Sequence, residues 1–133
     1  MVVEIFSKKI YSFVIVKKGN IILKKKEVEI KSILETIDEL QDKLYGSSMG
    51  VNILDKATAL LCVYAKIAGV YSPCSTKKAL AVLIQAGIPG QTDEIIIPEI
   101  GNRHENFDFE EVVSYIDSPD YAYEVLKEKI QKK

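Results

Sequence analysis

Gly69-Val70-Tyr71-Ser72-Pro73-Cys74-Ser75-Thr76-Lys77 is the stretch on which the reading of the fold turns. Its first four residues have the aliphatic and aromatic character of a short interior strand. Ser75 then stands where a helix N-cap belongs. Residues 76–86 place Ala79, Leu80, Val82, Leu83 and Ala86 on one inward face, and Gly87 supplies a left-handed stop. Another strand comes next, over residues 93–97. They carry three consecutive isoleucines between Gly90 and Pro98, a pattern that predicts a strand covered on both faces.

Upstream, residues 54–67 are apolar almost all round, with Leu60, Leu61, Cys62, Val63 and Tyr64 in succession. Such a helix is buried on most sides, with Asp55 near its head and Gly69 as its expected stop. Residues 45–50 break the pattern. Before them Ile33, Leu34, Ile37, Leu40 and Leu44 recur at helical spacing, while Glu35, Asp38, Glu39 and Asp42 face outward. The Ser32 to Glu35 spacing predicts a capping box at the start of that helix. Residues 10–16 and 21–23, separated by Lys18-Gly19-Asn20, predict a β-hairpin. Downstream of a polar loop at 101–106 come two helices, one over 109–116 and one opened by Ser118-Pro119, with proline in the first turn it prefers. Lys127, Lys129, Lys132 and Lys133 place positive charge at the chain's last helix end. Hairpin, helix, helix, strand, helix, strand and two helices compose a three-layer α/β/α sandwich, read as a single domain over residues 1–133.

Composition sets the outer bounds. A chain of 133 residues buries roughly 68% of the surface its unfolded form exposes, so neither a metal nor a disulfide is needed to hold it. The formal net charge of −1 argues against a protein whose work is to neutralise the phosphates of a DNA or RNA duplex. That total conceals an asymmetry, since residues 1–26 hold seven lysines and one glutamate, leaving −7 for the remainder. Lysines beside strands keep sheet edges from pairing with other chains, and the alternative is that this basic hairpin docks an acidic partner. Two cysteines and no recognisable leader suggest a reducing cytoplasm. No apolar stretch approaches a membrane-spanning length.

Asp55-Lys56-Ala57-Thr58-Ala59-Leu60-Leu61, Gly69-Val70-Tyr71-Ser72, Lys78-Ala79-Leu80-Ala81-Val82-Leu83 and Asn102-Arg103 carry a resemblance to the cytidine-deaminase-like fold. More narrowly, the chain resembles a small uncharacterised prokaryotic family of deaminase-like proteins that lack the zinc motif. Zinc nucleobase deaminases use H-x-E on one helix and P-C-x-x-C at the start of the next. Here Pro73 and Cys74 match the second segment, Lys77 stands in place of its second cysteine, and Asp55 and Ala57 stand where the histidine and glutamate belong. One thiol remains where a catalytic zinc needs three protein ligands. The resemblance therefore implies the scaffold without zinc deamination, with no metal or other cofactor. It leaves room for a homodimer, since deaminase-like folds often pair through helices.

In that fold the helices beginning near Asp55 and Thr76 point their N-termini into one cleft, and their unpaired amides and partial positive charge favour an anion. Lys56, Ser75, Thr76 and Lys77 add donors for a phosphate, and Arg103, the chain's one arginine, is suited to grip it bidentately. With Tyr71 and Cys74 beside them, these residues form a candidate site for a nucleotide or an ADP-ribose-type ligand. Asp55 serves there as cap and ligand contact, and Cys74 as a thiol whose pKa Lys77 and Lys78 would lower. Each residue also has a plainer structural role, Asp55 and Ser75 as N-caps and the lysines as solvated charges.

Overall fold

A mixed sheet separates two layers of helices. Its strands are β1 (Phe13–Lys17), β2 (Asn20–Lys25), β3 (Ser48–Val51), β4 (Ile53–Leu54), β5 (Gly69–Thr76) and β6 (Gly90–Ile96). The helices are α1 (Val2–Ser7), α2 (Ile30–Leu40), α3 (Lys56–Tyr64), α4 (Lys77–Ala86), α5 (Glu105–Val113) and α6 (Pro119–Gln131). These belong to a computed structural model that describes residues 2–7, 10–97 and 105–131. β1 lies antiparallel between β2 and β3, whereas β3, β4 and β6 all run parallel to β5. β3 and β4 occupy one side of β5 and are separated at Asn52, whose side-chain oxygen accepts from the Ile53 amide at 2.9 Å.

The hairpin forms where expected. Lys18 and Gly19 both take positive φ, 51° and 78°, so the two-residue turn twists in the sense of its strands. One face of the sheet carries the main core, in which Phe13, Ile15, Met49, Val51 and Leu54 meet α2, α3, α4, α5 and α6. The other face carries a smaller cluster of Val14 and Val16 with Val2 and Phe6 of α1. That second layer rests on Gly50, since a Cβ there would lie 2.4 Å from the Phe6 ring and 2.5 Å from Val2.

Several local expectations shift. α2 starts at Ile30, and its N-cap Glu29 makes no side-chain cap bond, so the Ser32–Glu35 box is not formed. Burying Ile30 together with Ile33, Leu34 and Ile37 outweighs a cap worth about 1 kcal/mol. α3 ends at Tyr64, and Lys66 rather than Gly69 takes the left-handed turn at φ 57°. β3 falls in the stretch read only as a break, because its pattern is too short to show a period. β6 is an edge strand with Ile95 half exposed, not a strand covered on both faces. Isoleucine runs report strand preference, and only the sheet order decides which strand is last.

Candidate functional site

The carboxyl edge of the parallel strands is where α/β sheets present their chemistry, and there α3 and α4 begin. Asp55 caps α3, its Oδ1 accepting from the Thr58 amide at 2.8 Å. Its side chain is fully buried, and burial, reinforced by the nearby Glu110 carboxylate, pushes its carboxyl up to about 7. Glu110 comes from α5, and its Oε1 accepts from the Ala57 amide at 3.0 Å. Burial raises the Glu110 carboxyl too, against the lowering effect of the Ala57 and Lys56 amides and of Lys78 and Lys56.

Lys56, the next residue, is buried as well, at 7% exposure. Its ammonium donates to the Ser114 carbonyl at 3.2 Å and lies 3.7 Å from Asp117 Oδ1. The two helices thus exchange end caps. Glu110 of α5 covers the amide end of α3, and Lys56 of α3 covers the carbonyls following α5. Of the two helix N-termini expected to receive an anion, the first receives one from within the chain. Glu110 escaped the sequence reading because it lies 53 positions from Ala57. Its only local sign was an acidic residue on an unremarkable helix.

The second helix start is different. Thr76, not Ser75, caps α4, with Oγ1 accepting from the Ala79 amide at 3.2 Å. Ser75 is still in β5, one residue short of the turn, because the parallel ladder with β6 runs on to Thr76. Its hydroxyl is buried and makes no hydrogen bond. Lys77 and Lys78 are exposed on the first turn of α4. A cleft of about 400 Å³ opens between them and α5, walled by Thr76, Ile96, Ile97, Glu110 and Ser114.

Tyr71 does not join this cleft. Val70 packs into the main core, so strand alternation sends Tyr71 to the other face. There it meets Phe6 edge-on at 5.8 Å and its hydroxyl donates to Asp93 Oδ2 at 2.7 Å. Cys74 is half-buried, and burial with the carboxylates of Glu94 and Asp93 pushes its thiol up, the reverse of the lysine-activated thiol expected. Arg103 lies outside the described residues.

A mixed sheet with helices on both sides, and with two helices springing from the carboxyl ends of neighbouring parallel strands, defines an α/β protein of deaminase-like architecture. The chain belongs to the TM1506 family, described as a domain of unknown function (DUF1893), which it matches over residues 1–130. It is similar to the crystal structure of a DUF1893 family protein, TM1506, from Thermotoga maritima. The identity is 24% and the TM-score 0.81, covering 96% of this chain and 86% of that one. It is similar also to dCMP deaminase from the cyanophage S-TIM5 in apo form, at 15% identity and a TM-score of 0.50, covering 67% of this chain and 89% of that one. No curated protein matches the chain. Among the described residues no helix is long and apolar enough to cross a membrane.

Proposed function

We propose that the protein is a deaminase-like domain without zinc chemistry that binds a nucleotide or ADP-ribose-type ligand in the cleft at the start of α4. One observation carries this reading. Ser75 Oγ is buried with no hydrogen-bond partner among the described residues, and beside it the buried Asp55 carboxyl and Thr58 hydroxyl have each other. Asp55 and Thr58 face each other across the first turn of α3, and Ser75 pairs in register with Leu54, the residue before Asp55. The three oxygens therefore belong to one corner, next to Thr76 and Glu110 of the cleft wall. Leaving a buried hydroxyl such as that of Ser75 unpaired costs roughly 1–3 kcal/mol, which a bridging water or a polar ligand group reaching behind Thr76 relieves.

The remaining wall suits the same ligand class. Lys77 and Lys78 stand beside the amide end of α4, where a phosphate is favoured. Ile96 and Ile97 offer apolar surface to a base. The zinc-free part of the proposal rests on the donor set. Ala57 and Lys77 offer no ligand atom for a metal held as zinc is. Asp55 already caps a helix, which leaves Cys74 as the one ligand at the motif's metal positions. No three His, Cys, Asp or Glu side chains among the described residues form a metal-holding group.

Native and denaturing mass spectrometry of the purified protein, followed by thermal-shift titration with nucleoside mono- and diphosphates and ADP-ribose, tests the reading. A nucleotide-sized adduct, or a melting rise lost in Lys77→Glu and Lys78→Glu, is expected. A chain that comes bare and responds to none of these ligands refutes it. A second reading draws on the hairpin, where the edge strand β2 exposes Ile21 and Ile22 beside Lys24 and Lys25. There an acidic partner would dock, and charge reversal at Lys24, Lys25 and Lys26 would abolish its capture.

A further inference from the structure

A second cavity, of about 720 Å³, lies at the opposite end of α3, between the ends of α2 and α3 and the start of α6. Three of the protein's seven tyrosines, Tyr45, Tyr64 and Tyr123, line it together with Gln41, Lys66 and Asp120. Tyr64 and Tyr123 stack face to face, their centroids 4.2 Å apart and their planes within 7°. The Tyr123 hydroxyl donates to Asp38, and Lys127 ties both by lying 3.0 Å from Asp38 Oδ2 and 3.1 Å from the Tyr123 oxygen. The aromatic wall is thereby fixed before any ligand arrives, which lowers the entropic cost of binding.

The backbone around the same cavity is unusual. Three described non-glycine residues have positive φ, and one of them, Lys18, serves the hairpin turn. The other two, Gln41 at φ 49° and Lys66 at φ 57°, both line this cavity. Gln41 is the C-cap of α2 and Lys66 the left-handed stop of α3, so both helix ends turn at the cavity's rim.

The chemistry of the lining narrows the ligand. Three tyrosines with two aspartates resemble a cage for an organic cation. However, the cation seats are filled from within, by Lys66 at 4.8 Å from the Tyr45 centroid and Lys127 at 5.3 Å from that of Tyr123. Lys127 is neutralised by Asp38, whereas Lys66 forms no ion pair with a described residue and stays exposed. What the cavity offers is aromatic surface, one ammonium at its rim, and the Gln41 amide and Asp120 carboxylate for polar ring edges. We propose that it binds a flat heteroaromatic compound bearing one anionic group, with the ring against the tyrosines and the anion on Lys66.

The test is a titration of the full-length, ¹⁵N-labelled protein with AMP, nicotinate and indole-3-acetate, followed by amide shifts. At least one compound is expected to move the amides of Gln41, Tyr45 and Lys66. Tyr45→Ala and Lys66→Glu should each weaken that compound about tenfold, with melting temperatures unchanged because both side chains are exposed. Gln41→Gly, which keeps the positive-φ backbone and removes only the amide, should weaken that compound less than either of these. If none of the three compounds moves these amides, or if Tyr45→Ala and Lys66→Glu bind as the unaltered chain does, the proposal fails. Shifts confined to Thr76, Lys77 and Lys78 also overturn it while upholding the cleft at the start of α4.

Discussion

Replacing Asp55 by asparagine separates the charge of the carboxyl from its capping role. The amide oxygen still accepts from the Thr58 amide, as asparagine does at N-caps generally, but the side chain no longer ionises. In the folded protein burial and Glu110 lift the Asp55 carboxyl from 3.8 to about 7. At about 1.4 kcal/mol for each of roughly three decades in proton concentration, the ionised form costs the fold about 4 kcal/mol at most. The sign follows from the raised value. Below about pH 3.8 the carboxyl is protonated in both folded and unfolded chains and the cost is absent. Between there and about pH 7 the unfolded chain releases its proton first, so stability falls; above that range the loss is complete. Urea unfolding should be followed by circular dichroism for both proteins from about pH 4 to about pH 8, and the stabilities subtracted. Subtraction cancels the titrating groups that are not coupled to Asp55, among them Asp38, whose lowered pKa acts in the opposite direction, but not Glu110, whose carboxylate acts on Asp55. The difference, variant minus parent, should rise with pH by as much as about 4 kcal/mol. Parallel profiles would falsify the reasoning, since they mean that Asp55 titrates as a solvated carboxylate.

The exchanged caps between α3 and α5 make Glu110→Ala destabilising by roughly 1–2 kcal/mol, measured by thermal unfolding, with faster hydrogen exchange at the Lys56 and Ala57 amides. Glu110→Gln keeps an acceptor and should lose less; equal losses would remove the capping bond from the account. Gly50→Ala drives a methyl group into the Phe6 ring and should cost roughly 1–3 kcal/mol. Adding Phe6→Ala should recover part of that cost, and strict additivity of the two would mean that α1 does not pack there. Gly87→Ala, at φ 73° with open space around it, should cost about 1 kcal/mol from backbone strain alone, read as a lowered melting temperature.

The fold was legible wherever periodicity ran long enough to show. The apolar stripe of α2, the all-round apolar α3, the Gly87 stop of α4 and the Lys18-Gly19 turn all follow from spacing and local dihedral preference. The strands β3 and β4 and the short helix α1 were not legible, because two to six residues carry no period and take their shape from neighbours. Caps were half-legible. Asp55 was found because its helix starts where its apolar run does, whereas Ser75 was taken for a cap because the end of a strand depends on its ladder partner.

The candidate site divides in the same way. The sequence by itself determined that one buried helix begins at an aspartate and that the helix after β5 begins in a Ser-Thr-Lys-Lys run. Those features are local, set by capping chemistry and hydrophobic period. Only the tertiary structure decided that Glu110 covers the first helix start and that Tyr71 faces the other side of the sheet. It alone brought Tyr45, Tyr64 and Tyr123 around one cavity. These outcomes depend on which distant side chain reaches a buried amide or ring first, and the energies that settle it, burial and charge pairing, exist only once the chain has closed on itself.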